Sequence, residues 1–158
     1  MTIFGKHLSE YLAFAKIILL LIVVVGVARL GLSLAGVENS TVKWLSISVV
    51  TLIGLVYFAV RVPTSGFGSY KQLLALIVIQ QIVAQAIIIA GIVIAIVTRR
   101  DNIFSTPEYS GGGDGKTWLH AGAHLVFGVI GGSLLSWLVG SVILFVTKKA
   151  TARDTAAA

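Results

Sequence analysis

Apolar residues run through this chain in four long blocks separated by three polar intervals. The blocks extend roughly from Tyr11 to Ala35, Val42 to Arg61, Tyr70 to Thr98 and Trp118 to Thr147. Each reaches the ~20 mostly apolar residues that a helix needs to cross the hydrocarbon of a bilayer. The third and fourth are long enough to tilt or to continue past the lipid. The intervals have local causes. Glu38, Asn39, Ser40 and Thr41 make the first polar, and Asn39 or Ser40 is placed to cap the second helix through its unpaired N–H groups. Pro63, Gly66 and Gly68 end the second block. The third interval, residues 99–117, is the long one. Pro107 and the run Gly111–Gly113 predict a mobile loop unless a partner orders it. Short connections make successive helices antiparallel neighbours. The expected fold is therefore all-α: an integral membrane protein built as one four-transmembrane-helix up-down bundle over residues 1–158, with the first and fourth spans side by side. Residues 1–10 alternate Ile3, Phe4 and Leu8 with Lys6, His7 and Glu10, which predicts a short interfacial helix. "SLAG" near Ala35 resembles a signal-peptidase site, but the long leader and Arg29 argue for a retained span.

Composition agrees with a membrane setting. Of 158 residues, 57% are hydrophobic and 11% charged, against about 25% charged in soluble domains. Without cysteine there is no disulfide, thiol nucleophile or thiolate metal site. The net charge of +6 does not point to nucleic acid, because the cations form no stripe and gather at the ends of the apolar blocks. Lys6, Lys16, Arg61, Lys71, Lys148, Lys149 and Arg153 fall on the side of the termini. Arg29, Lys43, Arg99, Arg100 and Lys116 fall on the other. That excess places both termini in the cytoplasm, with the bundle in a plasma or inner membrane.

The stretch "SGGGDGKTWLHAGAH", Ser110 to His124, carries the most suggestive chemistry. Gly115, Lys116 and Thr117 match the end of a phosphate-binding loop. Ser110 stands where its first glycine belongs, and no strand precedes it, so nucleotide binding is not expected. The stretch reads better as a turn, with Asp114 or Thr117 as a helix cap and Trp118 as an interfacial anchor. The sequon Asn39–Thr41 lies too near the membrane to be a persuasive glycosylation site. His120 and His124 are four apart and share a helix face, a spacing that suits two ligands of one metal ion. Ala121 occupies the position of the glutamate in a metalloprotease motif. Further ligands would have to come from Glu38, Asp101, Glu108 or Asp114. Haem would need a second axial ligand from another helix, since two histidines one turn apart cannot take opposite faces of one iron. No cofactor is required by the sequence.

Three groups of residues in the spans invite a role. Arg29, costly in lipid, lies six residues from the end of its span, about 9 Å inside. His124 lies at similar depth from the same side, near Ser46 and Ser48. Together with His120 these form a candidate layer for an anionic or carbonyl oxygen. Gly128, Gly132, Ser136 and Gly140 recur every fourth residue and allow close helix packing, inside the bundle or against another chain, with Gly131 widening the surface. Gln80, Gln81 and Gln85 are candidate interhelical glue. Gln85, about 20 Å from the Thr98 end, is placed well below His124 and apart from its layer.

No acid lies in the body of a span to carry protons, which argues against a small proton-coupled transporter. No nucleophile–base set is present either. The expected function is a non-enzymatic accessory or structural subunit of a larger membrane complex or homo-oligomer. The alternative is a small protein that binds lipid, quinone or haem, or transports such a ligand, at Arg29, His120 and His124.

Overall fold

The computed structural model describes the backbone of residues 1–157 and the side chains of residues 1–152. Four helical stretches are long and apolar enough to cross a membrane: Leu8–Leu34, Asn39–Thr64, Tyr70–Thr98 and Trp118–Ala152. The first is α1 (Leu8–Leu34). The second divides into a single turn, α2 (Asn39–Val42), and α3 (Ile47–Thr64). The third is α4 (Tyr70–Thr98). The last opens as α5 (Trp118–Ala123), passes through a π-helical segment (His124–Gly131) and continues as α6 (Gly132–Ala157). The chain is an all-α four-helix bundle and an integral membrane protein.

Registers fix the up-down order. Gly54 of α3 meets Ile18 of α1, Gly26 of α1 meets both Ile47 and Ile87, and Gly140 of α6 meets Leu55 and Leu73. The first and fourth spans are not the neighbours expected. α3 and α4 pack on each other and on both α1 and α6, and no comparable α1–α6 contact exists among the described residues. Hence 33% and 39% of the most apolar windows of the second and third spans are buried, against 17% for the first and fourth. Leu20 and Val24 of α1, and Leu135 and Leu138 of α6, face outward. Such surfaces suit a hydrocarbon solvent.

The N-terminus departs from the interfacial helix expected. Thr2–Ile3 (β1) and Lys6–His7 (β2) pair antiparallel as a minimal hairpin. Its turn residues, Phe4 (φ 47°) and Gly5 (φ 85°), are both left-handed, as a tight two-residue hairpin turn demands. Tertiary bonds override the amphipathic pattern: Tyr11 Oη donates to the Ile3 carbonyl at 3.0 Å and Gln72 Nε2 to the Phe4 carbonyl at 2.9 Å.

Capping differs in detail too. Ser46, not Asn39 or Ser40, caps the membrane-length part of the second stretch, accepting from Val49 N at 3.3 Å. Pro63 lies inside α3, which ends at Thr64 ahead of Gly66 (φ 67°). Thr117 Oγ1 caps α5, accepting from His120 N at 3.1 Å.

The long connection is a folded cover over its first half. Asn102, Ile103, Phe104 and Ser105 are buried. Asn102 Nδ2 donates to the Gly91 carbonyl at 2.7 Å, and its Oδ1 accepts from Phe104 N at 2.9 Å. Ile103 N donates to Ser33 Oγ at 2.8 Å. Gly91 leaves room for the Phe104 ring, which a Cβ would meet at 2.5 Å. The glycine run Gly111–Gly113 is exposed, with open space where each side chain would stand.

Candidate ligand site at the loop-covered end

Each functional side chain is set by a local device. Thr117 starts α5 and so points the first turn of that helix, with His120, back at the preceding loop. There His120 Nδ1 lies 2.9 Å from the Gly115 carbonyl. Gly115 itself is wedged on the backbone of Ser105, where no Cβ fits. Lys116 ties the same loop together through Asp101 at 2.7 Å and Asp114 at 3.2 Å. The residues that imitate a phosphate loop thus hold the loop and aim a histidine.

One turn later, His124 Nδ1 lies 2.8 Å from Gln85 Oε1. Gln85 therefore belongs with His124, contrary to the separation expected from depth. Depths counted from different helix ends are not comparable. Gly128 stands opposite Gln85 and Gly132 opposite Gln81, so His124 sits only one turn, about 6 Å, above Gln85. The two side chains bridge that gap. A Cβ on Gly128 would meet Gln85 Cδ at 2.5 Å, and this crowding coincides with the π-helical turns, a distortion frequent at functional sites.

Peptide and amide oxygens only accept hydrogen bonds, so both rings donate from Nδ1. In the neutral rings Nε2 remains as the lone-pair nitrogen on each. The ring centroids are 4.9 Å apart and tilted by 52°. They line a cleft of about 360 Å³ with Gln85, Ala123, Phe127 and Gly128.

Arg29 lies on the other side of His124. Its Nη1 donates to the Leu45 carbonyl at 3.1 Å, while its buried Nε has no partner. Phe104 and Tyr109 flank the guanidinium, their centroids 5.3 and 6.0 Å from Cζ. No carboxylate pairs with it among the described residues. A cleft of about 190 Å³ is lined by Arg29, Ser48, Phe104, Tyr109 and His124, with Ile47, Ile88 and Ile103 as its apolar walls. Arg29 and His124 thus share one cleft, His124 and His120 the next, and His124 is the wall between them. Phe104, Tyr109 and the Gly115 carbonyl escaped sequence reasoning. The apolar pair Ile103–Phe104 inside an otherwise polar loop was the available signal for a folded cover.

The other candidates lie deeper. Gln80 is fully buried, its Nε2 donating to the Thr51 carbonyl at 3.0 Å. Gly132 meets Gln81, and Gly140 meets Leu55 and Leu73. Ser136 is half-buried, and Gly131 faces open space. No protein-family model matches the chain, and comparisons with curated proteins and with solved structures find no match.

Proposed function

We propose that this protein binds the anionic or carbonyl head of an amphipathic membrane molecule, a lipid phosphate or carboxylate or a quinone oxygen, in the cleft between Arg29 and His124. The observation that carries the reading is the guanidinium itself. It is half-buried in a membrane protein, lacks a carboxylate, and keeps one buried N–H unpaired. Burying a charge without a counter-charge is costly, and an incoming oxygen anion relieves that cost through charge-assisted bonds. Ser48 adds a neutral donor, the Tyr109 hydroxyl being directed at the Asn39 carbonyl, and the apolar walls suit the adjoining part of such a molecule. Between the two function classes, geometry favours this one over the accessory subunit. The small residues that suggested an external protein contact are in part occupied inside the bundle, Gly128 by Gln85 and Gly140 by Leu55. The charge excess on the terminal side supports a plasma or inner membrane with both termini cytoplasmic.

Extraction in mild detergent followed by mass spectrometry of the retained lipids and quinones tests the site. Wild-type protein is expected to retain a stoichiometric amphiphile. Arg29→Leu should lower its retention at least about tenfold, since a hydrogen bond to a charged group contributes about 1.5–3 kcal/mol. Equal retention by a folded Arg29→Leu protein would overturn the reading.

A further inference from the structure

We infer that His120 and His124 together form a binding site for one divalent transition-metal ion, Zn²⁺ or Cu²⁺, in the cleft beside the anion site. Both rings already have the support that metal-binding histidines use. A ligating imidazole generally donates its other N–H to a carbonyl or carboxylate, which fixes the tautomer and raises ligand basicity. Here the Gly115 carbonyl holds His120 at 2.9 Å and Gln85 Oε1 holds His124 at 2.8 Å. The spacing fits as well. Two imidazoles bound through Nε2 at about 2.0–2.1 Å to one tetrahedral ion keep their centroids roughly 5 Å apart, and these lie 4.9 Å apart. A cleft of about 360 Å³ adjoins both rings, leaving room for water or a ligand oxygen to complete the shell. No third histidine or carboxylate joins the pair among the described residues. Asp101 and Asp114, two of the candidate acids, are both engaged by Lys116. Two nitrogen donors and open positions favour Cu²⁺ and Zn²⁺ over harder ions. Arg29 takes no part, although His124 lines both clefts, so Arg29→Leu tests the anion site and His120→Gln tests the metal site.

The test uses the full-length protein in detergent with Cu²⁺ or Zn²⁺ alone and no added lipid. Titration should show one ion per chain, and the Cu²⁺ electron paramagnetic resonance spectrum should carry the splitting of two equivalent nitrogens. His120→Gln and His124→Gln should each weaken binding at least about tenfold. Gln85→Leu keeps the volume but removes the oxygen that holds His124, so it should weaken binding about 10–100-fold, as loss of outer-shell partners does. His7→Gln, at the opposite end of the bundle, should leave binding unchanged. A wild-type spectrum without nitrogen splitting, or equal affinity in the His120→Gln protein, would overturn the inference. Those two measurements decide it even if His124→Gln fails to fold.

Discussion

Gly54 of α3 meets Gln80 of α4. A Cβ on Gly54 would overlap the Gln80 amide and lie 2.6 Å from Ile18 Cγ2. Gln80 cannot simply swing away, because it is fully buried and bonded to the Thr51 carbonyl. Gly54→Ala should therefore destabilise the bundle by about 1–3 kcal/mol, the usual effect of overpacking. Reversible unfolding in detergent measures this, and an unchanged midpoint would contradict the packing described. The same residue-scale logic explains Gly128: its missing side chain is what lets Gln85 reach His124.

Among elements, Asn102 ties the cover formed by the 99–117 connection to α4. Its amide bonds the end of α4 at Gly91 and the loop's own Phe104 N–H, all buried. Asn102→Ala leaves the buried Phe104 N–H unsatisfied, at about 1–3 kcal/mol, and removes the tie to the Gly91 carbonyl, which keeps its bond within α4. Hydrogen exchange should accelerate at Ile103–Ser105, with the helix centres unaffected. The outer half of the loop responds to pH instead. The Lys116 backbone N–H, and then its ammonium, hold the Asp114 carboxyl below its ordinary value. Asp101, and then Asp114, hold the Lys116 ammonium above its own. A lowered carboxyl contributes above its unfolded pKa, about 3.9, and that contribution is lost as pH falls through the folded value. A raised ammonium contributes below its unfolded pKa, about 10.4, and that contribution is lost as pH rises through the folded value. Protection near Lys116, the exchange rate relative to that of an unstructured amide at the same pH, should thus be steady across neutral pH and fall below about pH 4. In Asp114→Asn the acid response should shrink. Both acids are exposed, so the effect is local.

At the scale of the whole molecule, α3 and α4 serve as the inner wall and α1 and α6 as the lipid-facing flanks. Leu20 lies near the middle of α1 and is 59% exposed. An arginine there would face hydrocarbon at a cost of about 2.5–3.5 kcal/mol on insertion scales. Leu20→Arg should reduce the fraction of protein resisting alkaline carbonate extraction, whereas the wild type should stay in the membrane pellet. Wild-type release into the aqueous phase as a folded monomer would overturn the membrane assignment.

Hydrocarbon length and the residues that interrupt it made the four spans and their up-down order legible from sequence alone, and narrowed the last cap to Asp114 or Thr117, because these depend on local composition and on the need to satisfy backbone polar groups in lipid. His120, His124 and Arg29 were likewise visible as polar residues out of place. Which helices touch, and what each polar group meets, depends on rotation and axial offset between helices, and no single-span pattern records either. For that reason only tertiary structure separated α1 from α6, brought Gln85 to His124 across differently placed helix ends, and folded Ile103 and Phe104 over the cleft that holds Arg29.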